Sequence, residues 1–362
     1  MIHGIRPIRW RLLFLRIRLE ANIPLQDISP PLVSLGAPRT DPSRLMATAA
    51  AARKRPVPDV ACLESDGSKK RARHQLSTID DYDKLKVLGF GSYGVVAKAR
   101  DRRTGEAVAV KCFRGDGDGE PAAAGLREVA CLAAFRGHPS VVQIKGVDAD
   151  EATGDLFLVM EFVGSSLRRR LTRPFSENET RALMRQLLNA AEKLHGAGII
   201  HRNLTPENIL VSSDDTLKIC GFGTAMTTAE RAGLAQCVGT MQYCSPEQHI
   251  GMCRYTPAVD MWALGCVMAE LLAGKPLFES DTEDDMFEEI LYLRDQIVCV
   301  GLDAFDEYLP ELSQAGREVL AGLLSFHDHE RLTAAEALEH RWFAEDAKLP
   351  AFAVAEHPAV SE

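Results

Sequence analysis

The run Gly89-Phe90-Gly91-Ser92-Tyr93-Gly94 constrains this chain more than any other stretch, because of what stands on either side of it. Ahead of it, Asp81-Tyr82-Asp83-Lys84-Leu85-Lys86-Val87-Leu88 reads as a strand; behind it, Val95-Val96-Ala97-Lys98-Ala99 alternates with a period of two. The same G-x-G-x-x-G spacing occurs in dinucleotide-binding turns, but such a turn must open a helix. Here two strands flank the glycines, which predicts a hairpin whose bare backbone N–H groups can approach phosphate oxygens. Arg103-Thr104-Gly105 turns the chain, and Ala107-Val108-Ala109-Val110-Lys111 follows as a third strand carrying a cation.

Charge divides the chain. The first 75 residues carry 14 Lys/Arg against 6 Asp/Glu, and the remainder 28 against 45, so a basic extension precedes an acidic body. The body has no basic face of the kind a nucleic acid needs, and no apolar run reaches the ~18 residues of a membrane span; neither nucleic acid nor membrane is expected as a partner. Arg6, Arg9, Arg11, Arg16 and Arg18 with little acid are compatible with a transit peptide, a disordered extension or an upstream start ahead of Met46. Residues 1–79 are expected to be disordered. Arg53-Lys54-Arg55 and Lys69-Lys70-Arg71-Ala72-Arg73 are spaced like a bipartite nuclear-import signal or form a solvated basic linker; nuclear localisation is the expectation. The nine cysteines stand singly, without a C-x-x-C pair, and are expected to be reduced thiols.

Ala122 to Phe135 has Leu126, Val129, Leu132 and Phe135 at helical spacing and presents Glu128 as a partner for Lys111. Leu156 to Val163 is an apolar strand, and Leu183, Met184, Leu187, Leu188 and Ala191 mark a later helix. That helix leads to Ile200-His201-Arg202-Asn203-Leu204-Thr205-Pro206-Glu207-Asn208. Further on come Cys220-Gly221-Phe222-Gly223, Ser245-Pro246-Glu247, Asp260-Met261-Trp262-Ala263-Leu264-Gly265 and Glu330-Arg331-Leu332.

In this order the motifs resemble the protein kinase family over residues 80–345, and Val259 to Trp262 with Ala334 to Phe343 look most like its cyclin-dependent-kinase branch. The resemblance implies an α+β bilobal fold, with a small β-rich lobe at 80–163, a larger helical lobe at 164–345 and a short tail at 346–362. It implies ATP beneath Leu88, Gly89, Phe90, Gly91, Ser92, Tyr93, Gly94, Val95 and Val96. Lys111 would meet the phosphates, Glu128 would align it, and the backbone of Glu161 and Val163 would meet the adenine. Met160 would guard the back of that pocket. Asp260 would hold the catalytic loop and Arg331 would pair with Glu247. The Ala122–Phe135 helix would receive a cyclin or another protein partner, and an active enzyme would take protein substrates.

Five departures from the family pattern fall together. Asn203 stands where the proton-accepting Asp is expected, and an amide takes no proton near neutral pH. Thr205 replaces a lysine. Gly221 stands at the metal-binding Asp position, leaving Asn208 as the remaining expected magnesium ligand. Ala235 occupies the position of the activating phosphothreonine, and Cys244 replaces an Arg. General-base assistance alone contributes ~10²–10⁴-fold, so the expectation is a nucleotide-binding chain with weakened magnesium use and low or absent phosphoryl transfer. An active Ser/Thr kinase is the alternative.

Overall fold

The computed structural model describes residues 79–91, 94–115, 123–150, 154–230, 239–252 and 254–344. The basic extension with both of its clusters, Ser92, Tyr93, Ala122, Ala235 and the tail lie outside the described residues.

The glycine hairpin forms. Strand β1 (Tyr82–Gly91) pairs antiparallel with β2 (Gly94–Asp101), and Gly91 faces Gly94 across the turn. Gly94 has φ 155°, and a Cβ there would lie 1.7 Å from the Cys112 carbonyl oxygen. No side chain fits without displacing the next strand, β3 (Ala107–Phe113). The β2–β3 turn is held by the Asp101 carboxylate, which accepts from Arg103 N (2.7 Å) and Thr104 N (3.1 Å).

Helix α1 (Ala123–Ala134) follows, then β4 (Ile144–Asp150) and β5 (Asp155–Glu161). The five strands lie in the order β1-β2-β3-β5-β4, every pair antiparallel. Gly125 stands where α1 comes closest to the sheet. A Cβ on it would meet Leu156 Cδ2 at 2.7 Å and Phe113 Cγ at 2.9 Å, so the helix lies directly on the sheet. That close approach sets the depth at which Glu128 meets β3.

Past β6 (Ser165–Ser166) and the single turn α2 (Leu167–Arg170), the chain becomes mainly helical. Helix α3 (Glu177–Gly196) starts at a reciprocal cap between Ser176 and Glu179 and buries Leu183, Met184, Leu187, Leu188 and Ala191. Short strands β7 (Ile199–Ile200), β8 (Ile209–Val211), β9 (Leu217–Ile219) and β10 (Met226–Thr227) frame the loops between them. β8 pairs with β6 and β9, and β10 with β7. Then come α4 (Pro246–His249), α5 (Ala258–Ala273), α6 (Glu283–Val300), α7 (Gln314–Leu323) and α8 (Ala334–Glu339).

Helix α5 is buried on every side from Val259 to Leu271, as a helix apolar all round must be. It organises the lobe, and Asp260 in its first turn is the fixed point of the loops above it. The Arg331 guanidinium forms a bidentate pair with Glu247 at 2.7 and 3.1 Å and also donates to the carbonyls of Ser325, Phe326 and Ala258. Both side chains are almost fully buried.

Cys112, Cys131, Cys220, Cys266 and Cys299 are free thiols, as expected. Cys244 is disulfide-bonded, which corrects the expectation for that residue; its partner lies outside the described residues. Spacing along a chain does not reveal which loops come together in space. Among the described residues, no helix is long and apolar enough to cross a membrane.

Candidate functional site

Three elements meet around Lys111. It leaves β3 toward α1, where its Nζ lies 2.7 Å from Glu128 Oε2, over the Phe113 ring at 4.6 Å. The Glu128 side chain is 1% exposed, so the carboxylate side of this ion pair is buried. On the preceding residue of α1, Arg127 Nη1 donates to the Gly223 carbonyl at 3.2 Å, tying the helix to the Gly-Phe-Gly turn. Phe222 is fully buried and meets the His201 ring edge-on at 4.7 Å.

Asp260 organises the loop that carries His201 to Asn208. Its Oδ2 accepts from His201 N (2.8 Å) and meets His195 Nε2 (2.9 Å), while its Oδ1 accepts from Arg202 N (2.8 Å). Burial by itself would raise the Asp260 pKa, but the bonds to His195 and His201 hold it below the usual carboxylate range. The His201 Nδ1 accepts from Asn203 N at 3.3 Å, so Nε2 carries the proton toward the Cys220 carbonyl at 3.0 Å. Burial pushes the His201 pKa down, in keeping with a neutral ring. Arg202 is left-handed (φ 65°) and its Nε donates to the Thr224 carbonyl at 2.6 Å. A non-glycine residue in that region is strained, and the Asp260 bonds to His201 N and Arg202 N help hold it there.

The structure then brings together the unusual residues. Asn203 Oδ1 accepts two bonds from Thr240, from its backbone N and its Oγ1, both 3.1 Å. Asn208 Nδ2 donates to the Asn203 carbonyl at 3.0 Å. The Asn208 carboxamide lies against Gly221, where an ideal Cβ would stand only 2.6 Å from Asn208 Oδ1. Gly221 is itself left-handed at φ 84°. Thr205 is buried with its hydroxyl unpartnered. Glu207, the nearest carboxylate in sequence, is bonded to Arg168 at 2.6 Å on the exposed side of the loop.

The other residues expected from the sequence line the same region. Gly89, Phe90, Val95 and Val96 lie on β1 and β2, with Phe90 58% exposed. Met160 is buried at the end of β5. The Glu161 backbone N donates to the Gln143 carbonyl at 2.9 Å, and its side chain bonds Lys218 at 2.6 Å; Val163 is half-buried just beyond. Arg169, in α2, spans to the small lobe and donates to the Leu88 carbonyl at 3.1 Å.

Sequence reasoning missed Thr240, Arg127, Arg169 and Arg168. Each makes its bond to a residue 37 or more positions away, and nothing in local patterning marks such a partner.

A β-sheet lobe with a glycine hairpin and an aligned Lys–Glu pair, set on a helical lobe with a buried Asp under a His-Arg loop, defines a class. Residues 82–343 match the protein kinase domain model, and the chain belongs to the protein kinase family, in its cyclin-dependent-kinase-like branch. It is 40% identical over 299 residues to a rice protein (Oryza sativa subsp. japonica) named as cyclin-dependent kinase F-2, covering 74% of this chain and 91% of that one. It is 35% identical over 297 residues to cyclin-dependent kinase 4 of Ovis aries, covering 72% and 95%. Cyclin-dependent kinase G-2 of Oryza sativa subsp. indica is 33% identical over 304 residues, 74% of this chain but 42% of that longer protein.

Proposed function

We propose that this protein binds ATP but is impaired in phosphoryl transfer, and that it acts as a regulatory or scaffolding member of its branch. The observation that carries this reading is the contact between Asn208 and Gly221. Kinases of this family use ATP with magnesium, which bridges phosphate oxygens and neutralises developing charge. For the nucleotide, the residues present fit. Leu88 to Val96 would cover the phosphates, Lys111 aligned by Glu128 would meet them, and the Glu161 and Val163 backbone would meet the base.

For magnesium the residues do not fit. A small hard cation wants several oxygen ligands in near-octahedral geometry. Of the expected pair, Asn208 alone offers an oxygen, and that carboxamide is packed on Gly221. Asn203 also lacks the proton-accepting oxygen, since its Oδ1 is taken by two donors and an amide does not titrate. Nucleotide binding with little metal dependence is the consequence. An active Ser/Thr kinase is the second reading, favoured by the bonded Lys111–Glu128 pair.

The test is transfer of labelled γ-phosphate to a generic Ser/Thr substrate and to the protein itself, with Mg²⁺ and with Mn²⁺. The control is the double variant Asn203→Asp with Gly221→Asp. A silent natural protein beside a working variant supports impaired transfer in a sound fold. Equal rates for the two would establish the second reading.

A cyclin or other protein partner is proposed to use α1, where Leu126 is 49% exposed beside Glu128. Nuclear localisation is proposed from the basic clusters at 53–55 and 69–73.

A further inference from the structure

A cavity of about 990 Å³ opens at the end of α5 that lies away from the catalytic loop. Ala273 on its wall is 13 residues along α5 from Asp260, about 20 Å at 1.5 Å per residue. Its walls are held in place. Phe278 stacks on Trp262 of α5 at 6.0 Å, which ties residues 274–282 to that helix. The Glu289 carboxylate of α6 accepts from Glu279 N (3.0 Å) and Ser280 Oγ (2.7 Å), which ties the same residues to α6. Tyr308 and Leu309, ahead of α7, close the third side. A wall bonded on both sides needs little ordering when a ligand arrives.

The lining joins acids to apolar groups. Six carboxylates line the cavity beside a single cation, Lys275. Four are engaged within the fold: Glu289 as above, Glu279 with Lys275 (3.0 Å), Asp285 with Thr282 (2.6 Å) and Asp295 with Arg294 (2.7 Å). Glu288 and Glu307 are exposed and, among the described residues, bond nothing. Glu288 stands one turn before Tyr292 on α6, so the two share a face, and Tyr292 is 52% exposed. Glu307 adjoins Tyr308, whose pKa is raised by burial and then by its neighbours Glu307, Tyr292 and Glu289. Half-buried Leu277 and Leu291 complete the floor with buried Leu309.

Among the described residues, no three His, Cys, Asp or Glu side chains are grouped to hold a metal ion. Unpaired acids spread along a cleft match cations carried at intervals on a chain, and aromatic faces beside them add cation–π attraction. The volume is at the upper end of the ~300–1,000 Å³ of ligand clefts, room for a few side chains and not for the face of a domain.

We infer that this cleft docks a short segment of a partner protein in which basic side chains flank an apolar one. The apolar side chain sits on Leu277, Leu291 and Leu309. Its basic neighbours meet Glu288 beside Tyr292 and Glu307 beside Tyr308. The chain thereby gains a protein contact separate from α1, one that needs neither nucleotide nor phosphoryl transfer.

The experiment measures anisotropy of a short labelled peptide alternating Lys and Leu against the full chain, without nucleotide and at low salt. Saturable binding is expected. Glu288→Lys with Glu307→Lys should weaken it at least ~10-fold, the loss of two close charge pairs. Glu311→Lys with Glu339→Lys makes the same charge change at exposed carboxylates outside the cleft. That control should weaken binding less than ~2-fold. Replacing Leu by Ser in the peptide should cost at least ~10-fold, the worth of a buried leucine. Tyr292→Ala should cost ~2–5-fold.

Equal loss in the two double variants means attraction to net charge alone and overturns the inference. So does a serine peptide that binds as tightly, or a natural chain that binds no peptide. Sedimentation tests the other occupant. Self-association of the natural chain, abolished by Glu288→Lys with Glu307→Lys, would assign the cleft to a second copy and overturn the partner segment. The replaced residues are exposed and unbonded, so the variants are expected to fold, as melting will check. Glu288→Gln with Glu307→Gln takes the place of a pair that does not. Because no readout uses nucleotide, a failed ATP titration would sink the proposed function and leave this inference standing.

Discussion

Lys111 and Asn208 both belong to the cleft, and their surroundings differ in kind. Lys111 has its carboxylate, Glu128, at 2.7 Å and nearly buried. Asn208 has a glycine, Gly221, beside its carboxamide, and its Nδ2 donates to the Asn203 carbonyl. The same division runs through the molecule. Glu128, Glu247 and Asp260 are buried carboxylates that hold other parts of the chain in place. In the proposed reading, Gly221 and Asn203 hold the positions where the family's carboxylates would face a metal or a substrate hydroxyl. On that reading, negative charge is present where it supports architecture and missing where it would do chemistry.

The sharpest way to break this contrast is to attack the architectural side. Arg331→Met should leave Glu247 buried and unpaired, lowering unfolding free energy by about 3–5 kcal/mol in denaturant titration. A loss below 1 kcal/mol would mean that buried charge carries no architecture here. On the nucleotide side, Lys111→Met should weaken ATP binding by about 10–100-fold, the worth of a charge-assisted bond, as read by calorimetry. Unchanged affinity would place the nucleotide elsewhere.

The chemical side yields a prediction in the opposite sense. Gly221→Asp alone should destabilise by about 1–3 kcal/mol, because it puts a Cβ at a left-handed backbone position against Asn208. Adding Asn208→Ala should relieve only the part due to the contact and leave the backbone strain. A stable single variant would show that Asn208 turns aside freely, and the metal site would then be open to repair by one residue.

The sequence made the glycine hairpin, the Lys111–Glu128 pair and the Glu247–Arg331 pair legible, because alternation and ordered motifs encode them directly. The identities of Asn203, Thr205 and Gly221 were equally plain. What those identities do to their neighbours was not. The Asn208 carboxamide lies beside Gly221, and Thr240 reaches Asn203 through a backbone fold spanning 37 positions. Gly125, whose role no sequence pattern marks, lets α1 lie close on Leu156 and Phe113. The Cys244 disulfide was hidden for the same reason, since it depends on which loops meet.

Two smaller effects would refine the picture. Burial lowers the pKa of both His201 and His249. A lowered folded pKa favours the neutral ring, so their contribution to stability is whole above the unfolded value near ~6.5. It is lost as pH falls from there through the folded values, at up to about 1.4 kcal/mol per unit and per proton. Melting temperature should therefore drop between pH 7 and 5, and His249→Gln should flatten that slope; an unchanged slope would remove His249 from the account. The smallest effect expected is from Thr240→Val, which takes one of two bonds from Asn203 Oδ1 and should cost about 1 kcal/mol. A much larger loss would show that this joint, and not Asp260, fixes the loop.

The Arg331–Glu247 pair also bears on the order in which the molecule assembles. Most pairings in the five-stranded sheet join strands that are neighbours in sequence, β1 with β2, β2 with β3 and β4 with β5, whereas β3 with β5 does not. Arg168 and its bond partner Glu270 are 102 positions apart, and Arg331 and Glu247 are 84 apart. Contacts that close such long loops form only after the intervening helices have collapsed. The small lobe is thus free to take shape early, while the floor of the cleft is the last part to lock.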